Sequence, residues 1–411
     1  MTLPLTLSAA RDCVLAAVQP DSRHELVELG RAHGRHLASP VHAEQCWPAT
    51  DRSAMDGFAL RAGVGLPAGV TLPVVGDSLA GKPFAATLPA GAAIRIMTGA
   101  VVPDGADAVV PVERTSGFAG STVTVHEAVQ AGANVRRRAS ELAAGALVLP
   151  AGRRVRAAEL GVLAVLGHHR VAVVRRPRVA ILATGDEVVP VDVTPAPHQV
   201  RESNSWALAA QVEECGAEAV RLGIVADERT ALRRAIERGL QEADVVLTIG
   251  GVSKGTHDLV HGVLGELGVV ERFHGLDLKP GKPTFFGLRP GSEPRLVFGL
   301  PGNPASTFTV FDLLVRPALL RLLGEPVGGW SATAPAGGTL WQRNARLQAV
   351  PARLTAGLDG RLEARLVAPS PSGDPFGLAA GDVYVLVPGK AEPAVGMVLP
   401  VVGRSSGVEL P

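Results

Sequence analysis

Residues 245–258 read Val-Val-Leu-Thr-Ile-Gly-Gly-Val-Ser-Lys-Gly-Thr-His-Asp, an apolar run that passes directly into a glycine loop. A short apolar run rich in β-branched side chains predicts a strand buried on both faces, as in a parallel sheet. The glycines that follow would let backbone N–H groups approach an anion closely. The loop is not a Walker A loop, because the Gly-Lys-Ser/Thr ending is absent. A Gly-Gly pair is also common in simple tight turns, so both interpretations stay open.

The alternation of strand and helix extends on both sides of this stretch. Further strands are predicted at 179–183, 219–225, 269–273 and 296–298, and helices at 205–215, 228–242, 258–267 and 305–323. Strands that alternate with helices of this length indicate βαβ units, and therefore a doubly wound α/β domain with a parallel sheet.

The remaining chain predicts three further parts. A helix capped by Ser8, a second helix from His24 to Leu37 and a helical pattern at 157–166 indicate a helical segment in two halves. Short β-like runs between Gly/Pro turns indicate an inserted β module and a C-terminal β-barrel. The predicted organisation is an α/β multidomain chain with a split helical segment at 1–45 and 144–177, a β module at 46–143, the α/β domain at 178–325 and the barrel at 326–411.

Composition excludes several classes of protein. The 411 residues are enough for about three domains. A net charge of +1 gives no basic field for nucleic acid. Mean hydropathy is +0.23, yet no apolar run is long enough for a membrane span, and the N-terminus lacks a secretory pattern. The three cysteines have no metal-type spacing and predict reduced thiols in a cytoplasmic protein; they are Cys13, Cys46 and Cys215.

Acidic residues follow three of the predicted strands. Glu187 comes after the strand at 179–183, Asp227 after the strand at 219–225, and Asp258 ends the glycine loop. Ligands of open parallel sheets bind outside the carboxyl ends of the strands. Each acid alone is better explained as a helix cap or a surface residue. Together they predict a Mg²⁺ and phosphate site, because Mg²⁺ prefers oxygen ligands.

Two rigid loops and a basic run could complete an anion site. Pro301-Gly-Asn-Pro304 precedes a helix, and Lys279-Pro-Gly-Lys282 holds two ammonium groups apart on a stiff turn. Arg136–Arg138 could bind an oxyanion or form a solvated face. The segment at 48–59 carries Asp51 and Asp56 among small residues and could equally be a solvated turn.

Several of these motifs resemble the MoeA/gephyrin E-domain family. The resemblance rests on Ser53-Ala-Met-Asp-Gly-Phe-Ala59, on Arg95-Ile-Met-Thr-Gly-Ala100, and on the order of the motifs that follow. The α/β domain alone would also resemble MogA-like adenylyltransferases, whereas the stretches at 48–59 and 95–110 favour MoeA.

The resemblance implies a molybdopterin molybdenumtransferase. Such an enzyme inserts molybdenum from molybdate into adenylated molybdopterin and releases AMP with the help of Mg²⁺. It also implies a homodimer whose site lies between the β module of one subunit and the molybdopterin-binding α/β domain of the other, and contact with other molybdenum cofactor biosynthesis proteins.

The family pattern implies a set of site residues. Catalytic roles would fall to Asp56, Thr98, Glu187, Asp227 and Asp258, with Glu187 and Asp258 as metal ligands. Substrate and oxyanion contacts would come from Arg137, Arg138, Gly250, Gly251, Ser253, Lys279, Lys282, Pro301, Pro304 and Ser372.

The chain departs from the pattern after the arginine run. Ala139-Ser140-Glu141 stands where the family usually has Gly-Glu-Asp, so Glu141 would replace an aspartate. Two other functions stay open: adenylyl transfer to molybdopterin, and a non-enzymatic scaffold of the gephyrin type. The retained carboxylates favour the molybdenumtransferase over the scaffold. Molybdate and tungstate are not distinguished.

Overall fold

The computed structural model describes residues 4–252, 259–330, 332–338, 341–356, 360–367, 373–392 and 394–404. The chain forms two compact units. The large unit comprises Met1–Ser39, Ala151–Ala164 and His168–Pro411, and the inserted unit comprises Pro40–Pro150 with Val165–Gly167. Three predicted site residues, Ser253, Asp258 and Ser372, lie outside the described residues.

The large unit contains a six-stranded sheet, and the predicted strands are in it. In spatial order its strands are Glu218–Val225, Arg178–Thr184, Val245–Ile249, Arg295–Leu300, Phe285–Arg289 and Val270–His274. The first four are parallel. The strand Phe285–Arg289 is antiparallel to both its neighbours, and the sequence pattern did not predict it. Glycine at its centre weakens the local strand signal.

Helices cover both faces of this sheet, as predicted. Ile181 packs in one core with Leu208 of the helix Asn204–Glu214 and with Leu314. Leu182 points to the other face and packs with Leu232 and Val260. These residues belong to the helices Arg229–Glu242 and Leu259–Glu266, and the long helical segment runs as Pro304–Val310, a π-helical turn Phe311–Val315 and Arg316–Leu322. Ile181 and Leu182 are neighbours on one strand and enter cores on opposite faces. Helices therefore pack on both faces of the sheet, as in a doubly wound fold.

The predicted helix from His24 to Leu37 is wrong. His24–Glu28 is a strand that pairs antiparallel with Arg170–Val174, and a 3₁₀ turn follows at Leu29–Arg31. The strand's partner is distant along the chain, so the local pattern could not reveal it. The first helix is Leu7–Ala16, and its cap is Thr6 rather than Ser8, because the Thr6 hydroxyl accepts from the Ala9 N–H at 3.2 Å. The predicted helix near 157–166 is present as Ala157–Val165.

The C-terminal part forms the predicted barrel. Its five strands close on themselves; they are Thr333–Gly338, Leu347–Ala356, Leu362–Leu366, Val383–Val387 and Val398–Gly403. A short helix spans Phe376–Ala379. The two-residue strand Leu278–Lys279 pairs in parallel with Leu347–Gln348, so the lysine turn is joined to the barrel by backbone hydrogen bonds.

The inserted unit is built on a five-stranded sheet, as the β pattern predicted. Its strands in spatial order are Ala108–Pro111, Gly57–Leu60, Ala93–Ile96, Thr71–Ser78 and Thr122–Thr124. Short ladders join Val41–His42 to Leu147–Leu149 and Arg52–Ser53 to Val135–Arg136. The remaining elements of the described residues are a 3₁₀ turn at Val112–Arg114 and, in the large unit, a parallel pair of short strands at Val188–Val189 and Val200–Arg201.

The three cysteines are free thiols. Across the described part of the chain, no helix combines the length and the apolarity that crossing a bilayer requires.

Candidate active site

Asp56 and Thr98 meet on the inserted unit. Asp56 immediately precedes the strand Gly57–Leu60, which pairs antiparallel with Ala93–Ile96, and Thr98 follows that partner strand. Gly57 permits the close approach of the other neighbouring strand, Ala108–Pro111, because a Cβ there would lie 1.8 Å from the Val110 carbonyl oxygen. The Thr98 N–H and hydroxyl both donate to Asp56 Oδ1, at 2.6 and 2.8 Å. These bonds, the backbone one first, lower the pKa of Asp56 below its ordinary value.

The arginine run is held beside the same segment by Asp51. Asp51 Oδ2 accepts from Arg137 at 2.7 Å, and its Oδ1 accepts from the Arg138 backbone N–H at 2.7 Å. Burial acts to raise the pKa of Asp51, but these two hydrogen bonds outweigh it and the pKa is lowered. Arg137 is therefore already paired with Asp51, whereas the exposed guanidinium of Arg138 has no partner within the residues that the structure describes.

The residues after the arginine run, Ala139-Ser140-Glu141, depart from the family pattern, and the structure shows the consequence. Ala139 lies in the left-handed region with φ of 63°, where glycine is strained least. Glu141 forms an ion pair with Arg136. Its carboxylate is therefore engaged with the first arginine of the run.

Two neighbouring strands of the large unit bring Thr184 and Asp227 together. Thr184 ends one strand and is buried, and Asp227 follows the parallel neighbour and is exposed. The Thr184 hydroxyl donates to Asp227 Oδ1 at 2.5 Å. The Asp227 N–H points to Asp186 Oδ1 at 3.4 Å. Glu187 is exposed, three residues after Thr184 ends its strand. Three carboxylates thus lie at one edge of the sheet.

The glycine loop packs closely against this edge. Gly250 and Gly251 have φ of 85° and 63°. A Cβ at Gly250 would lie 2.7 Å from the Thr184 carbonyl oxygen, and one at Gly251 would lie 2.5 Å from Val260. The Gly250 N–H donates to the Leu300 carbonyl at 3.1 Å, so this donor belongs to the sheet. Both positions require glycine for conformation and for space.

The proline loop lies next to the glycine loop. A Cβ on Gly302 would lie 3.8 Å from the Gly250 Cα. Asn204 Nδ2 donates to the Gly302 carbonyl at 2.7 Å and tethers the loop to the helix Asn204–Glu214. Pro301 is buried, and Pro304 is the first residue of its helix. Asn204 was not predicted as a site residue, because its tether depends on a contact across 98 positions that no local pattern reveals.

The two lysines lie on a tight turn joined to the barrel. Lys279 is half-buried and Lys282 is exposed. Neither ammonium group forms an ion pair with another residue in the described ranges. The turn is rigid, because the Gly281 carbonyl accepts from the Thr284 hydroxyl at 2.7 Å, and a Cβ on Gly281 would lie 2.7 Å from Val310. A half-buried cation without an ion-pair partner there is suited to an anionic ligand.

Comparison with known proteins agrees with this arrangement. Residues 5–167 match the family model described as MoeA N-terminal region (domain I and II), and residues 180–321 match the probable molybdopterin binding domain. The solved MoeA protein of Pyrococcus horikoshii is 26% identical, with a TM-score of 0.82 over 98% of this chain and 100% of that one. That structure shares the fold of this chain.

Curated relatives extend the comparison to named enzymes, each called molybdopterin molybdenumtransferase. The Nostoc protein is 40% identical over 74% of this chain and 71% of its own length. The Haemophilus influenzae protein is 35% identical over 78% of each chain, and the Bacillus subtilis protein is 32% identical over 90% of this chain and 87% of its own length. The chain belongs to the MoeA family of molybdopterin molybdenumtransferases.

Proposed function

We propose that this protein inserts molybdenum from molybdate into adenylated molybdopterin and releases AMP, the last step in making the molybdenum cofactor. The observation that carries the proposal is the convergence of three strand-end loops at one sheet edge: Thr184–Glu187, Gly250–Gly251 and Pro301–Pro304. Such an edge is where open α/β sheets bind nucleotides and their phosphates. The family membership supplies the identity of the substrate.

Each of the proposed site groups has a role that its chemistry supports. The ammonium groups of Lys279 and Lys282 and the guanidinium of Arg138 would hold an oxyanion or phosphate by charge. Asp227, oriented by the Thr184 hydroxyl, would position the substrate or accept a proton. Gly250 and Gly251 would leave room for the pterin or the adenylate to approach the backbone. Ser253, Asp258 and Ser372 keep their predicted roles as part of the proposal.

Asp186, Glu187 and Asp227 are exposed at the same edge, but their carboxylates do not come close enough to form a three-ligand group by themselves. We propose that Glu187 holds Mg²⁺ together with Asp258, because carboxylate oxygens are the ligands that this ion prefers. A bound Mg²⁺ would neutralise phosphate charge. The protein's part is to aim these oxygens, which the bond from Thr184 does for Asp227.

Dimerisation and location are part of the same proposal. We propose a homodimer in which the 48–59 segment of one subunit completes a site with the α/β edge of the other, and a cytoplasmic protein that meets other molybdenum cofactor biosynthesis proteins. The support is the family resemblance, together with the free state of the thiols for the location.

The test follows AMP release from adenylated molybdopterin by the purified protein with molybdate, with tungstate and without either anion. We expect molybdate-dependent release that EDTA suppresses and Mg²⁺ restores. Asp227→Asn should lower it strongly, and the matched control Glu228→Gln, an exposed neighbouring acid, should not. Adenylated pterin accumulating from ATP would instead support the adenylyltransferase, and no turnover of either kind would support the scaffold.

A further inference from the structure

A second group of ligand-bearing side chains lies in the α/β domain, apart from the carboxylates described above. His261 belongs to the helix Leu259–Glu266, and Glu271 and His274 belong to the strand Val270–His274. One ligand atom from each lies within 4.8 Å of the other two. Within the described ranges, these are the three side chains found close enough to share an ion. We propose that they bind a divalent transition-metal ion of the Zn²⁺ class.

A β-bulge creates the group. Residues three apart on a regular strand point to opposite faces, so Glu271 and His274 would normally be separated. Here Glu271 pairs with Gly287, whereas His274 pairs with Phe285, two positions away on the partner strand. The extra residue in the bulged strand therefore returns His274 to the face of Glu271. The sequence spacing hides this arrangement.

The environment of His274 is that of an oriented ligand. Its Nε2 lies 2.9 Å from the Val252 carbonyl oxygen, which can only accept, so Nε2 carries the proton. The Nδ1 lone pair is then available for an ion. Metal-binding histidines usually donate their other N–H to a carbonyl or carboxylate in this way.

His261 is placed beside this ring by aromatic packing. The two imidazoles stack with centroids 5.2 Å apart, and both meet the edge of Phe285, at 5.6 and 5.9 Å. His261 Nε2 lies 2.7 Å from Glu271 Oε2. In the absence of an ion this contact is a hydrogen bond, and an ion would take the place of the shared proton.

The ligand types decide the class of ion. Two imidazoles and one carboxylate suit Zn²⁺ and its neighbours, whereas Mg²⁺ and Ca²⁺ prefer oxygen alone. His261 and Glu271 are exposed and His274 is half-buried, so an ion can enter from solvent. Arg272, the residue after Glu271, is the nearest cation in sequence to the three ligands. Its charge interacts with the thiol of Cys13, which packs against the core on the other face of the sheet.

The ion would act on the glycine loop through His274. Val252, whose carbonyl His274 holds, directly follows Gly250 and Gly251. Fixing the imidazole would therefore fix this end of the loop. The proposed ion is a positioning element and takes no part in chemistry.

The experiment measures Zn²⁺ binding by the metal-free, full-length protein in competition with a chromophoric chelator. We expect one Zn²⁺ per chain, which excess Mg²⁺ does not displace. Glu271→Gln and His274→Gln, both of similar size to the native residue, should each weaken binding by about 10-fold or more. His169→Gln, an exposed histidine elsewhere in the large unit, is the control and should bind as the wild type does. Co²⁺ should give a visible ligand-field spectrum that the two site variants lose.

Absence of stoichiometric Zn²⁺ binding by the wild type would overturn the proposal and leave an ordinary His261–Glu271 hydrogen bond. Equal binding by the wild type and the two site variants, with folding checked by circular dichroism, would overturn it too. The readout is metal binding without substrate, so its result is independent of the AMP-release test.

Discussion

Thr98 donates two hydrogen bonds to a single carboxylate oxygen of Asp56, one from its N–H and one from its hydroxyl. The pair joins the two stretches of sequence that most resemble the MoeA family. The two bonds lower the pKa of Asp56 and hold its Oδ1 in place. This geometry is that of a pre-oriented carboxylate rather than of a solvated turn acid.

Replacing Asp56 should therefore impair turnover rather than folding. We expect Asp56→Asn to lower kcat for AMP release by about 10²–10³-fold, since it removes a preorganised charge. Thr98→Val keeps the backbone donor and should lower kcat less. NMR titration of Asp56 in that variant should show its pKa moved up towards 3.8. Full activity in Asp56→Asn would remove this carboxylate from the site.

Ala139 offers a test of backbone strain. Its φ of 63° costs an alanine about 1 kcal/mol or more relative to glycine. We expect Ala139→Gly to raise the urea midpoint of the unfolding transition, although glycine substitutions usually lower it. The control is Ala131→Gly, an exposed loop alanine without a positive φ, which should be neutral or destabilising. A lower midpoint for Ala139→Gly would contradict the strained conformation.

The glycine loop should not tolerate side chains. Gly250→Ala would place a Cβ 2.7 Å from the Thr184 carbonyl at a φ of 85°, so the loop and the Thr184–Asp227 pair must shift. We expect loss of adenylated molybdopterin binding by calorimetry. Gly265→Ala, an exposed helical glycine with open space around it, should bind normally and gain about 1 kcal/mol of helix stability. Normal binding by Gly250→Ala would exclude the loop from the site.

The lowered pKa of Asp244 makes the stability of the large unit depend on pH. The Asp244 carboxylate accepts from the Arg178 N–H at 2.8 Å and from Arg175 and Arg23 at 2.7 and 2.9 Å. Burial acts to raise its pKa, but these bonds outweigh burial, and the pKa falls below 3.8. The stability contributed by the charge is therefore fully present above pH 3.8 and is lost as the pH falls through the lower, folded-state pKa.

Asp244→Asn should consequently destabilise the large unit by about 1–3 kcal/mol at pH 7, measured by urea unfolding. The difference from the wild type should shrink below pH 3.8. Glu242→Gln breaks an exposed ion pair with Arg238 and should cost less than about 0.5 kcal/mol. A difference that stays constant down to pH 2 would contradict the depressed pKa.

Mixing two inactive variants tests the proposed shared site. If each site combines Asp56 of one subunit with Asp227 of the other, a heterodimer of Asp56→Asn and Asp227→Asn contains one site without a substitution. Randomly assembled dimers should then recover about one quarter of wild-type activity. Each homodimeric variant is the control. No recovery, with heterodimers verified by two affinity tags, would place both residues in one subunit's own site.

Much of the fold was predictable because its signals are local. Short apolar runs such as Val245–Ile249 indicate buried parallel strands whatever segment they pair with. Gly250, Gly251 and Pro304 indicate loops because of the backbone conformations that glycine and proline favour. The carboxyl-edge rule then placed Glu187 and Asp227 at one edge of the sheet before any contact was known. The antiparallel strand Phe285–Arg289 escaped prediction because its signal is weak until its neighbours are present.

The sequence by itself determined the doubly wound sheet, the loops at its edge and the family resemblance, since each depends on residue types within a few positions. Only the tertiary structure decided that His24–Glu28 is a strand, that Arg137 is bound to Asp51, and that a bulge aligns Glu271 with His274. These three features depend on which distant segment supplies the partner. The partners in strand pairs, ion pairs and strand registers can lie tens to hundreds of residues apart in the sequence. Local periodicity therefore does not indicate which segment will be the partner.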